Sequence, residues 1–141
     1  MGANASITVS GGALESGSDD TCILGSGGII TISGTGRVVN TGSGFAVNVN
    51  NGSINITGGE VVANSKCSIT GAVNSSVTIS GGLVSSANNS TYGTINIANV
   101  AITGGMVENT SDDGYAVGIN AANGRVYVNG GKVKVARVDV C

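Results

Sequence analysis

A chain of 141 residues has room for one domain, and its 40% apolar content is enough to bury a core. Six basic against eight acidic residues, a net charge of −2, leave no basic surface for nucleic acid and no polybasic segment for anionic lipid. With no His, the chain lacks Ser-His-Asp, Cys-His and His-zinc chemistry, and with 25 Gly, no Pro and 10% charge it reads as all-β, because its Ile and Val alternate as in no disordered chain.

The N-terminal MGANASITVSGG fits the Met-Gly-x-x-x-Ser pattern of acylation through Gly2 and Ser6. Ser6 already leads into a strand, so the plainer reading is a start Met before a domain excised from a longer protein. No window approaches the ~18 apolar residues of a membrane span, and no basic region precedes an apolar one. Membrane insertion is therefore not expected.

The first strand opens a repeat. ITVSGGAL at Ile7 recurs as ITISGTGRV at Ile30, INITGGEV at Ile54, VTISGGLV at Val77, VAITGGMV at Val100 and VYVNGGKV at Val126, with starts 23, 24, 23, 23 and 26 residues apart. A fixed period of this size marks a solenoid. In Val77-Thr78-Ile79-Ser80 the apolar residues face in and the hydroxylated ones out, and Gly81-Gly82 ends the strand at a corner. A second apolar pair follows, such as Leu83-Val84. A polar corner comes next, around Asn40, Asn64, Asn88 and Asn109, a column placed to stack as an amide ladder. FAVNV at Phe45, SIT at Ser68, TINI at Thr94 and YAVGI at Tyr115 supply the third side.

Three strands and three corners in about 23 residues predict a single-stranded, right-handed parallel β-helix of about six coils over residues 1–141, a rod about 25 to 30 Å long. Cys22, Phe45, Cys67, Tyr92 and Tyr115 follow at 22 to 25 residues and are expected to form one inner column. Cys22 and Cys67 then lie about 9 to 10 Å apart, beyond the roughly 7 Å a disulfide allows, and should be free thiols. Cys141 is either an arbitrary boundary or an intermolecular link.

Candidate chemistry is confined to carboxylates and one polar face, and no cofactor is expected. Glu15 with Asp19 and Asp20, and Glu108 with Asp112 and Asp113, occupy equivalent places. The four aspartates are weak metal candidates whose plainer reading is solvated loop charge. The two groups sit about 19 Å apart, so they do not join. Arg37, Lys66, Arg125 and Arg137 are expected to fall beside neither group. Outward on the first strand, Thr8, Thr31, Asn55, Thr78, Ala101 and Tyr127 form one column, and Ser10, Ser33, Thr57, Ser80, Thr103 and Asn129 a second. Such an array could meet ice or glycan hydroxyls, with Tyr127, Thr78, Thr31 and Asn55 the expected glycan contacts. Thr is equally at home on any exposed strand. Tyr127 is the one aromatic expected to be exposed.

The SGGxV and ITGGxV units, together with GYAVGINAANGRVYVNGG, resemble the Gly-rich right-handed β-helix repeats of bacterial cell-surface and secreted proteins often labelled carbohydrate-binding, within the broad pectate-lyase-like superfamily. The resemblance covers essentially the whole chain. It implies an extracellular or cell-surface stalk, adhesin or glycan-contact module, with polysaccharide or a surface glycan as partner. Lyases and polygalacturonases of that superfamily use clustered Asp with Arg, Lys or His, and no matching cluster stands here, so a non-catalytic module is expected. The alternatives are a fragment of a polysaccharide-degrading β-helix enzyme, an ice-binding solenoid, or a fibre associating end to end through edges such as KVKVARVDV, Lys132 to Val140.

Overall fold

Strands that alternate Ile or Val with small polar residues have one apolar face, which a single repeat cannot bury but a stack of repeats can. In the computed structural model, which describes residues 5–113, 115–119 and 124–136, the repeats do stack as a parallel β-solenoid. Gly2, Arg137 and Cys141 lie outside the described residues. The first turn comprises β1 (Ser6–Val9), β2 (Ala13–Ser16) and β3 (Ile23–Gly25), and the second β4 (Gly28–Ile32), β5 (Arg37–Asn40) and β6 (Val47–Val49). In the next three turns one long strand covers the first two sides: β7 (Gly52–Ala63), β9 (Ser76–Ser86) and β11 (Asn99–Asn109). Each is followed on the third side by a short one, β8 (Ile69–Gly71), β10 (Ile95–Ile97) or β12 (Val117–Ile119), and β13 (Arg125–Val128) and β14 (Lys132–Val135) close the series.

Each strand pairs in parallel with its counterpart one turn on. The first side runs β1-β4-β7-β9-β11-β13, and the third side is a separate sheet ordered β12-β10-β8-β6-β3. Inward columns follow the alternation. Ile7, Ile30, Ile54, Val77, Val100 and Val126 align, as do Val9, Ile32, Ile56, Ile79, Ile102 and Val128. From Ile30 to Ile102 these side chains are essentially inaccessible, and with Val47, Ile69 and Ile95 of the third side they form one narrow aliphatic core.

The Gly pairs correct the expected geometry. In turns three to five the strand continues through them, and the register shifts at Ile56/Thr57 and at Ile102/Gly104 mark a bulge where the ladder bends. The pair bends a strand that its sequence suggested would end. A bulge makes that economical, since it turns the ladder while keeping pairing on both sides.

The expected Cys and aromatic column is also corrected. Ile23, Val47, Ile69, Ile95 and Val117 are in register. Cys22 accordingly donates its amide to Phe45 O and lies opposite Ala46, while Thr94 does the same to Tyr115 O. The aligned series is Cys22, Ala46, Ser68, Thr94 and Ala116. The loops before the third side range from five to eight residues, and a one-residue slip sends a side chain to the opposite face. Tyr115 is thereby turned outward, 57% exposed, while Tyr92, two residues before Thr94, stands in the loop ahead of the left-handed Gly93 and is 60% exposed. Cys22 and Cys67 are free thiols, as expected.

The series that replaces it is a polar seam within the wall. Cys22 Sγ donates to Val39 O at 3.2 Å, Ser68 Oγ to Ser85 O, and Thr94 Oγ1 to Glu108 O at 2.8 Å. The three acceptors belong to one column of the second side, Glu15, Val39, Val62, Ser85 and Glu108. Each hydroxyl or thiol thus ties the third side of one turn to the second side of the next. Among the described residues no buried side-chain nitrogen or oxygen is left without a partner, as a closed interior requires.

Candidate functional site

The first of the two outward columns forms as expected. Thr8, Thr31, Asn55, Thr78, Ala101 and Tyr127 stand one above another. The second is drawn in at the bulge: Ser80 Oγ reaches Ile56 O at 3.5 Å and Thr103 Oγ1 reaches Ile79 O at 3.4 Å. Ser80 and Thr103 stay exposed, but Thr57 lies opposite Gly81 and Ser80 opposite Gly104, so the array that keeps its register is one column wide. Tyr127 is exposed, Thr78 is exposed, and Thr31 and Asn55 are half-buried.

The carboxylates are dispersed by their partners. Glu15 and Glu108 do share a column, four turns apart. Arg37, expected to fall beside neither acidic group, lies directly opposite Glu60 and diagonal to Glu15. Its guanidinium bonds Glu60 at 2.7 Å and approaches Glu15 at 3.6 Å, bridging three turns, and the two carboxylates raise its pKa, Glu60 most. An arm the length of Arg reaches the diagonal neighbour that register alone would exclude. Glu108 accepts from Ser85 at 3.2 Å and meets Lys134 at 3.8 Å. Asp19 accepts from Ser43, Asp20 is held in a turn by Ser18, and Asp112 and Asp113 are exposed. Among the described residues no three His, Cys, Asp or Glu side chains come together as metal ligands.

The polar corner after the second side holds the most organised surface. Asn40 and Asn109 are aligned with Ala63 and Ser86, not with Asn64 or Asn88, so no amide ladder forms. Instead each buried Asn clamps its own loop. Asn40 Oδ1 accepts from Gly42 N at 2.9 Å while its Nδ2 donates to Phe45 O at 3.3 Å. Asn88 repeats this with Ser90 N and Gly93 O, and Asn109 with Ser111 N and Tyr115 O. Asn109 Nδ2 also bonds Asn88 O at 2.8 Å, linking one clamp to the turn below. An Asn side chain can imitate a turn of backbone in this way, which fixes a loop that has no ladder of its own.

Each clamped loop carries an aromatic: Phe45, Tyr92 or Tyr115. Three of the four aromatic residues of the chain therefore sit on one corner, in three different turns. Beside Phe45 and Tyr92 lies an open cavity of ≈ 380 Å³, lined by these two with Lys66, Cys67, Asn89 and Ser90. Lys66 Nζ stands 5.0 Å above the centre of the Phe45 ring. Cys67 forms the floor; burial pushes its thiol up to about 11, so at neutral pH it is a protonated, inert wall. A second, shallower groove of ≈ 350 Å³ runs along the neighbouring face over Val39, Val62 and Ser85, edged by Thr41, Asn64 and Thr110.

The clamps set the first expected result. Asn109→Ala leaves the buried Asn88 O short of a donor, while Tyr115 O keeps the Thr94 amide, and should cost about 1 to 3 kcal/mol. Asn109→Asp, which keeps the acceptor for Ser111 N and loses both donations, should be no better. Urea titration of the two variants checks this, and an Asp as stable as Asn would show that the donations are immaterial. Comparison with family models, with curated proteins and with solved structures returns no match to this chain.

Proposed function

We propose that the chain is a non-catalytic structural or adhesion module of a bacterial surface or secreted protein, and that it contacts glycans through the clamped aromatic corner. The observation that carries this reading is the gathering of Phe45, Tyr92 and Tyr115 on loops fixed by buried asparagines, with two of the rings more than half exposed. Exposed rings on rigid supports offer stacking area at little entropic cost, and the neighbouring Asn and Ser side chains can bond sugar hydroxyls. The flat face supports glycan contact less well, because it has one ring, Tyr127, and a single column of small polar side chains that keeps its register.

A glycan array probed with the chain tests the proposal. Binding to a defined set of glycans is expected, weakened about five- to tenfold by Tyr92→Ala or Tyr115→Ala. Tyr127→Ala should leave it unchanged. Loss through Tyr127→Ala alone would return the contact to the flat face, and an array without signal would remove the glycan reading. Release of reducing sugar from a bound polymer would replace it with the enzyme alternative.

A further inference from the structure

We infer that the corner cavity selects an anionic sugar unit over a neutral one, an inference that rests on the glycan reading above. Three observations converge on Lys66. First, it is the one charged residue among the described residues of the cavity wall, in a chain whose net charge is −2. Second, no described carboxylate pairs with it, whereas Arg37 is held between Glu15 and Glu60, and Lys134 meets Glu108. Third, the Phe45 ring beneath the ammonium, 5.0 Å away, steadies it from one side and leaves its remaining donors toward the cavity mouth. A negative group entering there meets one cation and no acidic residue on the described wall. Tyr92, 60% exposed, offers its ring to the body of the sugar, and the exposed Asn89 amide faces the hydroxyls. A neutral sugar would gain the ring and the amide but not the charge.

The measurement is a titration of the chain with glucuronate, glucose 6-sulfate and glucose, followed by NMR at the Phe45, Lys66 and Tyr92 resonances. Both anions are expected to bind about fivefold more tightly than glucose, the size of one exposed ion pair, with the preference fading near about 1 M salt. A preference for one anion alone would still support the selection and would name carboxylate or sulfate as its object. Lys66→Met, which keeps the stem over the ring, should equalise the three sugars, and Lys66→Arg should keep the preference. Tyr92→Ala should weaken all three alike. If glucose binds as well as the anions, or Lys66→Met leaves a preference intact, the inference falls. In that case continued sensitivity to Tyr92→Ala would keep the glycan reading standing. If none of the sugars moves these resonances, both fall.

Discussion

Gly82→Ala should lower the unfolding free energy by about 3 kcal/mol or more. Two separate effects act at this bend. The backbone of Gly82 has φ of +77°, which an L side chain tolerates only at a cost of about 1 to 2 kcal/mol. A Cβ there would also sit 2.6 Å from Gly59 O and 2.7 Å from Gly58 C, both backbone atoms of the turn below. Neither side can yield, because the turn above repeats the constraint: a Cβ on Gly105 would meet Gly82 O at 2.7 Å. Gly12 separates the two effects. Its φ is +69°, yet no described atom lies within 4 Å of the position its Cβ would take, so Gly12→Ala should cost about 1 to 2 kcal/mol, the backbone contribution alone. Denaturant midpoints followed by circular dichroism give both numbers. Equal losses at Gly82 and Gly12 would mean that the stacked corner tolerates a methyl group and that only φ matters.

What the sequence disclosed divides along the same line between repetition and exception. The inward columns through Ile54, Val77 and Val100 were legible because alternation of period two and a spacing near 23 residues both point to them. The Gly corners were legible as places, but a bulge that bends a strand and a turn that ends one use the same residues, so the continuity of β7, β9 and β11 was not. The candidate site was the least legible part. Its residues lie in loops of unequal length, where counting from one repeat to the next loses register, so Tyr92 and Tyr115 were counted as interior and the asparagines as a ladder. A sharper signal was present: Asn40, Asn88 and Asn109 each precede an aromatic by four to six residues. The ion pair of Arg37 with Glu60 also stands at the repeat distance of 23 residues and was open to the same reasoning.

Ile79→Ala should destabilise the chain by about 3 to 4 kcal/mol, the other large effect. Ile79 is fully buried between Ile56 and Ile102 of the adjoining turns, in a core only one side chain deep per side. Truncation removes contacts above and below at once, and the parallel ladders on either flank hold the turns at their spacing, so the hole cannot collapse. Ile7→Ala makes the same chemical change in the first turn, where the partly buried side chain has one described neighbour in its column, Ile30, and should cost about 1 to 2 kcal/mol. Thr78→Ala, outward on the same strand as Ile79, should stay within about 0.5 kcal/mol. Pairs of substitutions then show how far a defect travels. In a stack where each turn touches only its neighbours, Ile56→Ala with Ile79→Ala should depart from additivity, because the two share one cavity. Ile32→Ala with Ile102→Ala, three turns apart in that column, should simply add. Additivity in both pairs would mean that the core relaxes turn by turn. Coupling in both would mean that the rod transmits strain along its whole length, and would overturn the nearest-neighbour account of its stability.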